Sequence, residues 1–315
     1  MERESKFFNE TSRESEPKIH FRILYGPHNS PEDLKALEEE LSRADIYFPE
    51  NAGWNIETER AYQAYATGKY EVPGNLEPAL KFELETLSRL GKAGREVVVG
   101  LVDLPEGHSL LKRPESSEKA LLKFETGNFV KAIQEIKRIA ENNARLNKQR
   151  EDYIQAQIQS KIQSILEAHP LLKEKTKKEG KLNVLLSLGT VHTRISHNLK
   201  KEGKDVERRF NQLPYEFGSF HELARRYLFG KEVNDELAAR ALLFSELLPD
   251  VAFSDDTTKI YRVANKITSR FKLSDIKKIS SKIKSGISVV KAVEGFGAHI
   301  PRSEKEMNEF LGEKK

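Results

Sequence analysis

Two histidines follow apolar, strand-like segments of this sequence. His28 comes after residues 19–25 and a Gly-Pro turn, and His192 comes after residues 182–188 and Gly189. Because the carboxyl ends of parallel strands meet at one edge of a sheet, we expect both imidazoles to face one crevice there. In such a crevice an imidazole serves as a general acid or base, or as a metal ligand. An ordinary loop position is the simpler interpretation of either histidine alone, and their shared placement is what distinguishes them.

Carboxylates follow two other predicted strands. Glu50 ends the segment 45–50, and a carboxylate beside an imidazole forms an acid/base pair or a metal-binding pair. The alternative for Glu50 is a solvated carboxylate or a cap on the next helix. Asp103 is the weaker candidate, because Asp-Leu-Pro is a common way for a chain to leave a strand.

The elements that must position these residues alternate between strand and helix patterns. The predicted strands are 19–25, 45–50, 96–102 and 182–188, with a possible edge strand at 206–210. The predicted helices are one that begins at Pro31, one within 51–75, one at 78–90, one or two in the proline-free region 117–168, and one at 195–202. This order predicts an α/β fold with a mixed, mostly parallel sheet flanked by helices, and the apolar run 96–102 is expected at its centre.

From residue 213 onward the sequence predicts helices only, so an all-helical C-terminal domain or extension follows the α/β part. These helices are expected at about 219–229, 232–248, 256–270, 274–293 and 303–312. The predicted organisation is a disordered segment at 1–17, an α/β domain at 18–212 and a basic helical domain at 213–315.

The composition limits the classes of protein that fit. The chain has 315 residues, of which 37% are hydrophobic and 32% charged, and no run approaches the roughly 18 apolar residues that a transmembrane helix needs. The absence of cysteine excludes disulfides, thiolate metal sites and cysteine nucleophiles, so His and carboxylates are the ligands left for any metal. The polar N-terminal segment lacks the apolar region of a secretory signal, and the predicted location is therefore the cytoplasm.

Basic residues are concentrated between positions 257 and 291. This stretch has ten basic residues against one acidic residue, a local net charge of +9, whereas the whole chain carries +4. Such a surface can follow the phosphates of nucleic acid or an anionic membrane. The candidate binding residues are Lys266, Arg270, Lys277 and Lys278. The favoured interpretation is a solvated helix face packed on an apolar stripe, because few aromatic side chains are present to stack on bases, and a nucleic-acid partner is possible but not favoured.

Four motifs together resemble a known superfamily. Residues 23–32 (Ile-Leu-Tyr-Gly-Pro-His-Asn-Ser-Pro-Glu) and 45–50 (Asp-Ile-Tyr-Phe-Pro-Glu) are similar to the opening strand, Gly/His motif, helix and strand-plus-Glu of the superfamily that contains TraB/PrgY, Tiki, GumN, ChaN and erythromycin esterase. Residues 149–154 and 184–192 resemble its arginine-bearing helix and second G-x-x-H motif. The resemblance covers residues 18 to about 210, and it departs from the pattern at His28, which ends a G-x-H rather than a G-x-x-H.

The resemblance implies roles for five residues: His28, Glu50, Arg150 and His192, with Glu151 as a second carboxylate for which Asp152 competes. In one version His28, Glu50 and His192 bind a divalent metal ion that activates water, while Arg150 stabilises the negative charge that develops on the substrate. In the other version no metal binds, and Glu50 or a histidine acts as the general base.

Two functions remain open at this point, and a third possibility is an entirely structural role, which a large separation of His28 and His192 would favour. The first is a hydrolase that cleaves an ester or peptide bond of a small-molecule or peptide substrate in the crevice, and it predicts that His192→Ala abolishes turnover with a nearly unchanged melting temperature. The second is a non-catalytic binding protein that holds a ligand in the crevice or docks an anionic partner, a nucleic acid or a membrane surface, through residues 257–291.

Overall fold

The computed structural model describes residues 18–26, 31–111, 114–210 and 218–313 of the chain. The segment 1–17, predicted to be disordered, lies outside the described residues, as does His28. The predicted α/β fold class is confirmed, and helices follow the sheet in the C-terminal part.

A parallel sheet of five strands forms the first part of the fold. The strands are β1 (Lys18–Tyr25), β2 (Ile46–Pro49), β3 (Val98–Val99), β4 (Lys181–Leu188) and β5 (Asp205–Phe210). Their order across the sheet is β3-β2-β4-β1-β5, and β1 pairs with β4 along its whole length, from Lys18 opposite Lys181 to Tyr25 opposite Leu188. The strands β2 and β4 and the C-terminal half of β1 are mostly apolar and buried because helices cover both faces of the sheet.

Three helices cover one face of the sheet and three lie towards the other. The first group is α1 (Pro31–Leu41), α2 (Ile56–Ala66) and α3 (Pro78–Lys92). The second group is the C-terminal half of α5 (Phe129–Ala168), α6 (Pro170–Glu179) and α7 (Thr193–Lys201). Ile154, Ile158 and Ile162 of α5 pack on Phe21 and Val184 of the sheet, in one continuous buried cluster.

The position of β3 corrects the sequence prediction, which placed the segment 96–102 at the centre of the sheet. Only Val98–Val99 form a strand, and they pair with β2 at the edge, so β4 is the central strand. Side chains of α2 take the place of a further strand: Gln63 accepts a hydrogen bond from the Val99 N–H at 3.0 Å, and Glu59 accepts one from the Leu101 N–H at 3.3 Å. The apolar run therefore indicated burial and not a central position.

The C-terminal part contains only helices among its described residues, 218–313. They are α8 (Ser219–Leu228), α9 (Asp235–Leu247), a 3₁₀ turn (Leu248–Val251), α10 (Thr257–Thr268), α11 (Leu273–Lys284), α12 (Val289–Glu294) and α13 (Glu304–Leu311). The single helix predicted at 274–293 is two helices, because the chain turns at Gly286, whose φ of 89° lies in the left-handed region that favours glycine.

The hydrophobic core of the helical part extends upstream of residue 213. It contains α4 (Glu118–Glu125), which supplies Phe124, and the first half of α5, which supplies Ile133 and Ile136, packed with Leu242 and Phe244 of α9. The 40-residue helix α5, about 60 Å long, thus contributes its first half to the helical core and its second half to the core of the sheet.

The apolar stripe predicted within the basic stretch is confirmed. Val263 and Ile267 of α10 and Ile276 and Ile279 of α11 are fully buried in the helical core, while three of the four lysines of α11 are exposed. Among the described residues no helix combines the length and the apolar character needed to cross a membrane.

Glu246 of α9 makes the stability of the helical part dependent on pH. Burial and the negative charges of Glu125 and Asp250 raise the pKa of Glu246 to about 7. The folded state therefore holds a proton that the unfolded chain releases above its ordinary pKa of 4.5, so this group costs stability as pH rises from about 4.5 to about 7.

We expect Glu246→Gln to raise the free energy of unfolding by about 1 to 2 kcal/mol at about pH 8, a value reduced for the partial exposure of the carboxyl group. At about pH 4 the variant and the wild type are expected to be equally stable, since both side chains are then neutral. Chemical denaturation at the two pH values measures both differences. An equal gain at the two values contradicts the assignment.

Candidate active site

The predicted site residues that the structure describes converge at the carboxyl edge of the sheet. Glu50 directly follows β2, and His192 lies between β4 and the first turn of α7. Arg150 and Glu151 come from the middle of α5, which passes over this edge. The structure brings these four residues into contact with one another.

Arg150 joins two carboxylates at this edge. Its Nη2 donates to Glu50 Oε1 at 2.9 Å, and its Nε donates to Asp103 Oδ1 at 2.8 Å, with a further contact between Nη2 and the second oxygen of Asp103. The Asp103 side chain is 1% exposed. Burial opposes the charge of Arg150, but Asp103 and Glu50 outweigh it and raise the pKa of the guanidinium. This pairing compensates two carboxylates that would otherwise be costly to bury.

Glu50 is also held by β4 and by His192. Its Oε2 accepts a hydrogen bond from the Gly189 N–H, and its Oε1 lies 3.2 Å from His192 Nε2. A Cβ atom at position 189 would lie 3.0 Å from Glu50 Oε2, a closer approach than nearly all real Cβ contacts show. Glycine in the G-x-x-H segment is therefore needed so that the backbone can come close to the carboxylate.

His192 is enclosed between two carboxylates. Its ring has no exposed surface, and Nδ1 lies 3.5 Å from Glu151 Oε1 on the side opposite Glu50. Burial opposes protonation of this ring, but Glu50 and Glu151 outweigh burial and raise the pKa of His192 to about 9. At neutral pH His192 is an imidazolium that neutralises part of the charge of its two neighbours.

Glu151 is the most completely buried carboxyl group of the cluster. Its side chain is 0% exposed, Oε1 lies 3.5 Å from His192 Nδ1 and Oε2 lies 3.9 Å from Arg194 Nη1, and neither oxygen makes a hydrogen bond with any described residue. Burial raises the pKa of Glu151, and His192 and Arg194 oppose that shift. Asp152, the competing candidate, points elsewhere and pairs with Arg194 at 2.5 Å. Glu151 rather than Asp152 is therefore the carboxylate that contacts His192.

Two aromatic residues support the cluster through the backbone. Tyr25, at the end of β1, donates a hydrogen bond from its hydroxyl to the carbonyl of His192 at 3.3 Å. The single tryptophan, Trp54, donates from its ring to the carbonyl of Asp103 at 2.6 Å. These contacts fix the two segments that carry His192 and Asp103.

A cavity of about 260 Å³ opens beside Glu50. Its walls come from β2, β4 and the helices α1, α2 and α3. The polar residues that line it are Tyr47, Glu50, Asn51, Tyr62, Glu77, Glu83 and Ser187. Tyr47 and Tyr62 both hydrogen-bond to Glu83, and burial and the charge of Glu83 raise the pKa of both hydroxyls, so they stay protonated. The volume suits a small molecule or one residue of a peptide.

The described donors do not fit a divalent cation. Glu50 is bound by Arg150 and the Gly189 N–H and contacts His192, and the His192 ring is enclosed between Glu50 and Glu151, so the side-chain nitrogen and oxygen atoms of both predicted ligands already contact protein groups. Among the described residues no three His, Asp or Glu side chains are grouped so that they could hold a metal ion. The third predicted ligand, His28, lies outside the described residues. The positive charge beside Glu50 is supplied by Arg150 and His192.

The remaining predicted binding residues are on helices of the C-terminal part. Lys266 donates to the Phe310 carbonyl at 2.6 Å and lies over the Phe310 ring, and Arg270 lies over the same ring. Lys277 and Lys278 are exposed on α11.

Asp103 is the site residue that the sequence analysis undervalued. Like Glu50, Asp103 is a carboxylate that directly follows an apolar segment of the sequence. It was given less weight because Asp-Leu-Pro is a common sequence at the end of a strand.

Comparisons of the chain with protein-family models, with curated proteins and with solved structures found no match. The resemblance to the TraB, Tiki and erythromycin esterase superfamily stays a prediction from the motifs.

Proposed function

We propose that the protein is a hydrolase that cleaves an ester or peptide bond of a small substrate bound in the cavity beside Glu50. The observation that carries the proposal is the position of Glu50, which lines the cavity and also contacts Arg150 and His192. A carboxylate that faces a small cavity on one side and two cations on the other is suited to proton transfer in a site with little water. The motif resemblance implies the same class of reaction.

Glu50 is the general base of the proposed reaction. Its oxygens accept hydrogen bonds from Arg150 and the Gly189 N–H, and Oε1 lies 3.2 Å from His192 Nε2, so donors surround the carboxyl group. It takes a proton from a water molecule as the water oxygen attacks the carbonyl carbon of the substrate, and it then returns that proton to the departing alcohol or amine. Arg150 offsets the negative charge that develops in the tetrahedral intermediate.

His192 has a different role from the one that the sequence left open. A ring with a pKa of about 9 and no exposed surface is already protonated at neutral pH, so it is not the base. Its charge instead holds Glu50 in place, and Glu151 supports it from the opposite side. In the proposed mechanism the base is therefore the carboxylate and not the imidazole.

Glu50→Gln tests this mechanism, since it removes the base and keeps the size of the side chain. We expect turnover of a cleaved p-nitrophenyl ester or fluorogenic peptide to fall by about a hundredfold or more. Glu77→Gln is the matched control, because Glu77 lines the same cavity but is exposed and caps α3, and we expect it to change turnover little. Wild-type protein that cleaves none of a broad panel of esters and peptides, or equal loss in the two variants, contradicts the proposal.

The second candidate is a binding protein that holds a ligand in the same cavity without turnover. This candidate is favoured by the contacts of the Glu50 oxygens, because a carboxylate held by several donors is typical of a structural ion pair. Equilibrium binding separates the two candidates: a ligand from the panel that raises the melting temperature and is recovered unchanged supports the binding protein. The cytoplasmic location stays a prediction from the sequence.

A further inference from the structure

The outward side of α11 has an unusual composition. Ser274, Lys277, Lys278, Ser281 and Lys284 recur at spacings of three and four residues, and all five are exposed. We call these five residues the Lys/Ser face. It is about 15 Å long and contains no acidic, aromatic or large apolar side chain. The opposite side of the helix, with Ile276 and Ile279, is buried in the helical core.

The cations of α11 differ from those of α10 in their partners. On α10, Lys259 pairs with Glu304 at 3.3 Å, Arg262 pairs with Glu313, and Lys266 binds the Phe310 carbonyl. The three lysines of the Lys/Ser face make no ion pair or hydrogen bond through their amino groups with any described residue. Ion pairs therefore neutralise part of the positive charge on α10, whereas the three lysines of the Lys/Ser face keep their charge without a described acidic partner.

No described acidic residue, including those of the packing helices α4, α9 and α12, makes an ion pair with a lysine of the Lys/Ser face. Glu236 of α9 pairs with Arg240 at 2.8 Å, and Glu294 of α12 pairs with Arg302 at 2.6 Å. Asp275, the one acid of α11 itself, accepts a hydrogen bond from the Lys272 N–H at the start of the helix. Two further exposed cations, Lys272 and Lys291, lie on either side of α11 in the sequence.

We propose that the Lys/Ser face binds the phosphate backbone of double-stranded nucleic acid without reading its sequence. Lysine and serine side chains on a rigid helix are typical phosphate ligands, and backbone contacts carry no sequence information. The absence of aromatic side chains from the face argues against single strands, which proteins hold by stacking. The absence of large apolar side chains argues against a membrane surface, into which an interfacial helix inserts its apolar side. This inference is independent of the proposed hydrolase.

The proposal predicts the affinity for duplex nucleic acid and its dependence on salt concentration. Non-specific contacts of this kind give dissociation constants of about 10⁻⁴ to 10⁻⁶ M at physiological salt. Each neutralised phosphate contributes about −0.9 to the slope of log K against log salt concentration, so the three lysines contribute about −2.7. Removing them is expected to reduce both the affinity and the slope.

The experiment uses the full chain and a fluorescein-labelled random duplex of about 20 base pairs, two helical turns, titrated between about 50 and about 200 mM salt. The test variant is Lys277→Gln/Lys278→Gln/Lys284→Gln. We expect at least a tenfold loss of affinity at the lowest salt and a slope that is less steep by about 2.7. The melting temperature should not change, because all three side chains are exposed and unpaired.

The matched control is Lys200→Gln/Lys201→Gln/Lys204→Gln. These three lysines are also exposed and also make no ion pair with a described residue, so their substitution removes the same amount of charge. They lie around the C-terminal end of α7, close in sequence to Glu202. Retained binding in the control supports the Lys/Ser face. An equal loss in both variants, no binding at the lowest salt, tighter binding to a single strand, or tighter binding to phosphatidylserine vesicles than to the duplex overturns the proposal.

Discussion

Replacing Arg150 by methionine is expected to lower the free energy of unfolding by about 3 to 5 kcal/mol at neutral pH. Arg150 is the cation between Glu50 and Asp103, and the Asp103 side chain is almost completely buried. Methionine retains much of the apolar stem but leaves both carboxylates without their shared partner. An uncompensated buried charge costs far more than the lost pair contributes, and this asymmetry sets the size of the effect.

Arg145→Met is the matched control for this experiment. It makes the same substitution on the same helix, α5, at an exposed position, and we expect a change within about 0.5 kcal/mol. Denaturant unfolding of both variants and the wild type gives the two differences directly. A loss of less than about 1 kcal/mol in Arg150→Met contradicts the geometry described for Asp103, since a contact that weak belongs to a solvated ion pair.

The stability effect also bears on the proposed hydrolase. If Arg150 holds Glu50 as well as the reaction intermediate, its variants lose structure and turnover together, and activity alone cannot separate the two roles. Glu50→Gln is the more direct test of the chemistry, because it removes the base and keeps the size of the side chain. Its amide has one accepting oxygen, so it can keep the hydrogen bond of Arg150 or that of the Gly189 N–H but not both, and its melting temperature is measured beside its turnover. The two variants therefore separate the contribution of Arg150 to the stability of the fold from the role of Glu50 in proton transfer.

The convergence of Glu50 and His192 could be predicted from the sequence for a physical reason. Residues just beyond apolar strands are placed at one sheet edge by the parallel topology, whatever the details of the helices. The arginine was assigned by motif resemblance alone, since nothing in a polar helix pattern indicates which side chain turns inward.

The sequence could not predict the features that depend on partners far apart along the chain. Val98–Val99 lie at the sheet edge because side chains of α2 satisfy the next backbone groups, a contact invisible to apolar patterning. The helix α6 was missed because its sequence is mostly polar and its buried side consists of little more than Thr176. The division of α5 between two cores likewise follows from tertiary packing and not from a break in its helical pattern.

His192→Ala is expected to destabilise the fold by about 3 to 5 kcal/mol at neutral pH, which revises the sequence-based expectation of a nearly unchanged melting temperature. The ring has no exposed surface, and its charge lies between Glu50 and Glu151. The substitution removes the cation that both carboxylates share and leaves a cavity. His197→Ala is the control, because it makes the same change on the same helix at an exposed position.

The pH dependence of this difference separates lost charge from lost packing. The pKa of His192 is raised from 6.5 to about 9 in the folded state, so its protonation stabilises the fold fully below about pH 6.5, and this contribution is lost as pH rises through about 9. We therefore expect the difference in unfolding free energy between wild type and His192→Ala to shrink across that window, leaving the packing loss at higher pH. A difference that stays constant from about pH 6 to about pH 10 would mean that the ring is neutral when folded and that Glu50 and Glu151 do not hold it as a cation.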